Sequence, residues 1–488
     1  MSLWSTIINN LPEVGGPTQK KLSFKEKLKW TAMILVIYYI LGLLPLFGLA
    51  KNALERFEFL SIVLAAQFGS IISLGIGPIV TASIVLQLLN GSGIVKFDLT
   101  TTEGKKTFQG VQKLLAIFFI IFEATIYVSM GGLSTGQYYN PATNQFLIEA
   151  VPGAIALSAS MVTTLKFLLI FQLFIGGMMI LFMDEVVSKW GFGSGISLFI
   201  AAGVSQSIFI QAFNWLPGPT GLKGITYSIG AVPALFQSLA AGDPTTAGIK
   251  LAALISTILV FVIVVYAQAM KVEIPLSFGR IRGHGIRWPL SFIYTSNIPV
   301  ILVAALLANV QLWGRLLQNW GHPLLGTFSA GGQPISGFVL WIQGVDIVRS
   351  IIEKKTFLIG AAPYMQSLVY MLFMVVGSMI FSIFWVQTAG MDAKSQARQM
   401  MASGLQIPGF RKDQRVLERL LNRYIWPLTI MGGLSIGFLA ALADLTGALS
   451  RGTGILLAVM IVYRLYEEIA RQHMMDMNPM MRKFIGGI

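Results

Sequence analysis

Long apolar runs, broken by short polar or Gly- and Pro-bearing segments, dominate the chain. About 20 mostly apolar residues are needed to cross a ~30 Å hydrocarbon core. By that measure the pattern predicts spans near 30–49, 59–90, 114–131, 161–183, 193–213, 249–270, 290–313, 364–389, 424–443 and 452–470. Counting 59–90 as one unit, this is an all-α membrane protein of about ten transmembrane helices. An even number of spans divides five and five, as an inverted repeat would. No heptad pattern, low-complexity tract or tandem repeat of solenoid period is visible.

Some runs are wrong for plain helices. The stretch 59–90 is too long for one upright span and is broken at Gly75-Ile76-Gly77-Pro78, where proline removes an N–H and two glycines loosen the backbone. Two readings fit. Phe57–Ser70 is a short half-helix that does not cross, with Ile79–Asn90 the true span, or the whole stretch is one kinked, tilted helix. Non-helical backbone at membrane depth needs protein or a water-filled cavity around it. Glycine-rich breaks recur at Gly191-Phe192-Gly193-Ser194-Gly195 and at Gly452-Thr453-Gly454. Ile76 with Val80, and Ile196 with Ile200, form apolar i, i+4 pairs of a kind that ordinarily means helix packing.

Polar residues inside spans are the second departure. Glu123 falls within the third span, where an acid is costly unless paired or hydrated. Thr81 and Gln87 lie on the second span, and Asn297 and Asn309 on the seventh. Such groups either glue helices together or mark a functional site.

Composition supports lipid as the solvent, because 55% of the 488 residues are apolar and only 11% are charged. The net charge of +14 matters through its placement. Most of the 35 basic residues fall on one side if the N-terminus is inside. They include Lys20, Lys21, Lys25, Lys27 and Lys29, then Lys96, Lys105, Lys106 and Lys113, then Lys189. Lys271, Arg280, Arg282 and Arg287 follow, then Lys394 to Arg423, and finally Arg464, Arg471, Arg482 and Lys483. Both termini are therefore expected in the cytoplasm. Residues 1–29 are polar and lack the apolar core of a cleaved signal, so the first span is expected to serve for targeting. The segment 132–160 contains no Lys or Arg, and 314–363 reads as an outer cap or an ordinary outer loop.

Little catalytic chemistry is available. There is no cysteine, and His284, His322 and His473 lie far apart with no metal-ligand spacing. No phosphate loop of the GxxxxGK[ST] type occurs. Asp184 and Glu185 are adjacent at a span end rather than on facing helices, which disfavours an intramembrane aspartyl dyad. We expect no catalytic residues, cofactor or metal. A secondary transporter also uses broken helices and an intramembrane acid, but it places polar groups at its midplane.

Four separated motifs make the chain resemble the SecY family, the alpha subunit of archaeal and eukaryotic translocons, over nearly its whole length. They are Leu74-Gly75-Ile76-Gly77-Pro78-Ile79-Val80-Thr81, Met183-Asp184-Glu185 through Gly193-Ser194-Gly195-Ile196, Ser296-Asn297-Ile298-Pro299-Val300-Ile301, and Gly452-Thr453-Gly454-Ile455-Leu456-Leu457. The wording is closer to the archaeal and eukaryotic branch than to the bacterial one. The resemblance implies two pseudo-symmetric five-helix halves around a central pore, here 30–215 and 216–470. These stand between a cytoplasmic segment 1–29 and a tail 471–488, with cytoplasmic loops 271–289 and 390–423. It implies a pore ring of Ile76, Val80, Ile196, Ile200, Ile301 and Leu457, all aliphatic. A re-entrant plug, 57–70, would carry Phe57, Phe59, Leu60, Ile62, Val63, Leu64 and Phe68. Thr81, Glu123 and Asn309 match a polar cluster at a lateral gate.

The implied function is a protein-conducting channel. Unfolded secretory polypeptide would cross the cell membrane through the ring, and transmembrane segments would leave sideways into lipid. Implied partners are small SecE (gamma) and beta subunits, the ribosome, signal-recognition targeting machinery, signal peptides and nascent chains. Ribosome docking falls to Arg280 and Arg282 in Gly279–Arg287, and to Arg411 in Ile407-Pro408-Gly409-Phe410-Arg411. Read from the residues alone, those charges equally express plain inside-positive topology.

Overall fold

The computed structural model describes residues 10–18, 22–50, 69–91, 94–95, 97, 101–129, 133–141, 143, 145–147, 152–220, 226–278, 285–295, 297–329, 334–352, 362–402, 405–406, 413–450 and 452–477. In chain order, α1 is Phe24–Leu43, α2 Gly77–Gly91 and α3 Thr102–Ser129, followed by β1 Tyr138–Asn140, β2 Gln145–Leu147 and β3 Ile155–Ala156. Next come α4 Ala159–Trp190, α5 Gly195–Phe213, β4 Pro217–Thr220, β5 Thr226–Ser228, α6 Ala231–Ala240 and α7 Pro244–Ala269. Then follow β6 Lys271–Phe278, β7 Gly285–Ser291, α8 Ile298–Asn319, α9 Phe338–Trp341 and α10 Ile347–Ile352. The last elements are α11 Ala362–Thr388, α12 Ala393–Ala402, β8 Leu405–Gln406, α13 Gln414–Leu445 and α14 Gly452–Met477.

Each predicted span holds a helix: α1 to α5, α7, α8, α11, α13 and α14. Among the described residues, 7 of the helices are long and apolar enough to cross a membrane, namely α3, α4, α5, α7, α8, α11 and α13. The chain is a multi-pass membrane protein. Among the described residues, strands occur only between spans, in short ladders β2-β1-β3, β4-β5 and β7-β6-β8.

Local chemistry sets the helix ends. The first helix begins earlier than its apolar run because Ser23 and Glu26 form a reciprocal cap, each side chain accepting the other's backbone N–H at 3.3 Å. It ends at Leu44, extended as the residue before Pro45 must be. The Gly75–Pro78 break is real: 71–76 is a run of turns, Gly75 sits at φ +55°, and α2 starts at Gly77. Pro78 is tolerated there because a first-turn N–H has no helical acceptor to lose. The half-helix expected at Phe57–Ser70, with its plug side chains Phe57, Phe59, Leu60, Ile62, Val63, Leu64 and Phe68, falls outside the described residues apart from Gly69 and Ser70.

The helices divide into two compact units. The first comprises 1–85, 109–204 and 304–341. In it α1 packs on α4, and Tyr38 of α1 stacks on Phe199 of α5 with ring centroids 4.7 Å apart. Residues of the N-terminal segment are strapped to the end of α4. Glu185 accepts the Val14 N–H at 2.9 Å and pairs with Lys113 of α3, while Lys189 pairs with Glu13.

The second unit comprises 86–108, 205–303 and 342–488. Its main contact is α11 against α13, made through small residues. A Cβ at Gly433 would stand 2.8 Å from the Ser382 Cβ, and one at Gly437 2.6 Å from the Met374 carbonyl oxygen. The β6–β7 hairpin alternates, with Ile274 buried and Lys271 exposed, so its inner face joins Leu290, Ala397, Leu417 and Leu421 in one core. β8, from the second basic loop, pairs with the far end of β6 through Ser277–Gln406 and Phe278–Leu405.

Candidate functional site

The six aliphatic residues expected in a ring share a local setting: each lies in, or immediately before, the opening turns of its helix. Ile76 directly precedes α2, and its carbonyl accepts the Val80 N–H at 3.0 Å. Both side chains are buried. Ile196 opens α5 half-buried, and Ile200, one turn on, is buried. These four belong to the first unit. In the second, Ile301 is half-buried in the first turn of α8, and Leu457 is buried in α14.

The structure brings three intramembrane polar residues together, all within the first unit. Thr81 of α2 donates its hydroxyl to Glu123 Oε1 of α3 at 3.1 Å, and Asn309 Nδ2 of α8 donates to Thr81 Oγ1 at 3.2 Å. The Gly77 carbonyl, 2.9 Å from the same hydroxyl, competes for its single proton. Glu123 is only 5% exposed, and Thr81 and Asn309 are half-buried, so three helices are linked through one largely buried polar node. Of the other intramembrane polar residues, Gln87 and Asn297 are also buried, and the Asn297 carbonyl accepts the Ile301 N–H at 3.2 Å.

Beside the polar node lies an aromatic pair that sequence reasoning missed. Phe122, adjacent to Glu123, meets Trp313, one turn beyond Asn309, with ring centroids 5.9 Å apart. Phe118 and Phe119 extend the cluster along α3. Trp313, at i+4 from Asn309 on α8, was the available signal. Arg280, Arg282 and Arg411 lie outside the described residues, although strands that flank them, β6 and β8, are hydrogen-bonded neighbours. Among the described residues no group of His, Asp and Glu is arranged to hold a metal ion.

The SecY family model matches residues 70–466. The chain belongs to the SecY family. It is 41% identical to the protein translocase subunit SecY of Pyrococcus horikoshii, over 98% of this chain and 97% of that protein. Among solved structures it resembles a protein-conducting channel, with 40% identity and a TM-score of 0.79 over 97% of this chain and 98% of that one. It also resembles Sec61 in the canine ribosome-channel complex from the endoplasmic reticulum, with 40% identity, a TM-score of 0.76 and the same coverage. The SecY match covers all four sequence motifs, including the turn before α2 and the glycine-bearing starts of α5 and α14.

Proposed function

We propose that this chain is the pore-forming subunit of a protein-conducting channel in the plasma membrane. Unfolded secretory polypeptide crosses through a collar of Ile76, Val80, Ile196, Ile200, Ile301 and Leu457, between two halves made from 30–215 and 216–470. Aliphatic side chains suit that role, because a narrow apolar constriction resists ions by dewetting yet yields around a passing chain. Residues 57–70 close the pore when it is idle. Transmembrane segments leave sideways between α2 and α3 on one side and α8 and α11 on the other. The chain is a conduit and not an enzyme; a bound ribosome or another partner supplies the work.

The Thr81–Glu123–Asn309 node carries the gating part of this reading. Its hydrogen bonds hold the seam shut. Polar links within membranes are worth about 0.6–2 kcal/mol each, small enough for an entering hydrophobic signal helix to displace. Both termini face the cytoplasm, as do the basic loops, where Arg280, Arg282 and Arg411 meet the ribosome. Its likeness to Sec61 in a ribosome-bound complex supports that partner. Targeting machinery and small subunits of the SecE and beta types complete the assembly.

The absence of native cysteine permits a direct test. A Thr81→Cys/Asn309→Cys pair should crosslink efficiently in the idle channel and lose that crosslink once a signal peptide engages. Equal crosslinking with and without signal peptide would remove the gate from this seam.

A further inference from the structure

The same device occurs at the start of two helices five spans apart. α4 and α13 are each 32 residues long, and each is followed by a turn and a helix that opens at a Gly-x-Gly. In both places a carboxylate from the end of the long helix reaches the first turn of the next one. In the first unit, Asp184 Oδ1 accepts the Ile196 N–H at 2.9 Å, with the Ser194 hydroxyl and the Gly195 N–H turned toward the same carboxylate. The approach is so close that a Cβ at Gly195 would stand 2.6 Å from the Asp184 Cα. In the second unit, Asp444 Oδ1 accepts the Thr453 N–H at 2.8 Å. Its Oδ2 accepts both the Thr453 hydroxyl and the Tyr370 phenol of α11.

The first N–H groups of a helix lack helical acceptors and carry the positive end of its dipole, so a carboxylate there is doubly favoured. An ordinary cap comes from the residue just before the helix and only completes that helix. Here the acceptor comes from the preceding span, so each bond ties one helix to the next, and Asp444 ties in a third. Charge-assisted bonds of this kind are the strong ones. The turns they fix bear the collar: Ile196 and Ile200 follow the Asp184 tie, and Leu457 follows the Asp444 tie by one turn.

We infer that Asp184 and Asp444 are positioning residues of the apolar collar, which hold the starts of α5 and α14 where their side chains seal the resting channel. This rests on the proposed collar. The test is ion leak through the idle full-length channel, reconstituted in liposomes with its partner subunits and normalised to inserted protein. Asp184→Ala and Asp444→Ala should raise leak about tenfold each, as loss of a hydrogen bond to a charged group implies. Asp184→Asn and Asp444→Asn keep an acceptor oxygen and should remain near the parent. Ile200→Ser, which wets the collar itself, should leak.

Parental leak in folded alanine variants, with Ile200→Ser leaking, would overturn the inference and leave the collar standing. Equal leak from alanine and asparagine variants, together with lower thermal stability, would mark a merely structural role and also overturn it. A tight Ile200→Ser channel would sink the collar, and this inference with it. If the alanine variants do not fold, Ser194→Ala and Thr453→Val weaken the same ties with both carboxylates in place and are judged by the same leak.

Discussion

Glu123 shows what a single residue can do in an apolar span. An acid there is expensive alone, and it is kept at 5% exposure beside the Thr81 hydroxyl. Glu123→Leu or Asn309→Leu should therefore weaken the closed seam and let less hydrophobic signals open it. At about 0.6–2 kcal/mol per link, the opening equilibrium moves by about 3- to 30-fold. Secretion of a reporter behind a graded series of signal sequences measures this; an unchanged hydrophobicity threshold in both variants would count against the gate. Glu123→Gln keeps an acceptor and should stay close to the parent. The sequence singled out Thr81, Glu123 and Asn309 as polar groups in apolar runs, because cost in lipid is a property of one residue. Their pairing, across 42 and 228 positions of the chain, followed from the family resemblance and not from hydropathy, which carries no information on contacts. The sequence passed over Asp184, which reads as half of a failed catalytic pair until the start of α5 is seen against it.

At the scale of elements, each run that hydropathy picked out holds a helix, but some ends were misplaced. Lys25, Lys27 and Lys29 look like a flanking polar segment, yet the Ser23–Glu26 cap makes them helical. The extra helices α6 and α12 and the two- to four-residue strands were not foreseen, because tertiary pairing rather than local propensity forms such short pieces. Packing between elements is equally silent in hydropathy. α13 approaches α11 closely only because Gly433 and Gly437 present no side chain there. Gly433→Leu would drive a side chain into Ser382 and Met379 and should lower stability by about 1–3 kcal/mol, as overpacking does. Thermal unfolding in lipid nanodiscs reads this out. Gly16→Ala, with open space around its Cβ, serves as the control, and a Gly433→Leu protein as stable as that control would refute the packing argument.

At the scale of the whole molecule, charge is the property that sequence conveys best, since it needs no contacts to be counted. Basic residues gather in the segments expected inside, and two of those segments share one sheet. β6 leads into Gly279–Arg282, and β8 leads into Ile407–Arg411. Their register, Ser277 with Gln406 and Phe278 with Leu405, brings the two strands together at the point where both loops depart. If both loops dock on ribosomal RNA, each arginine replaces counterions on phosphate, and affinity falls steeply with salt. Arg280→Glu/Arg282→Glu and Arg411→Glu should each weaken ribosome binding and flatten its dependence on salt. The slope should change by about 0.7–0.9 for each phosphate that is no longer neutralised. Plain inside-positive topology makes a different forecast: reversing one or two of many loop charges leaves orientation intact and ribosome affinity untouched. Sedimentation of ribosomes with reconstituted channel over a salt series separates the two, and parental affinity and slope in both variants would remove these arginines from the docking surface.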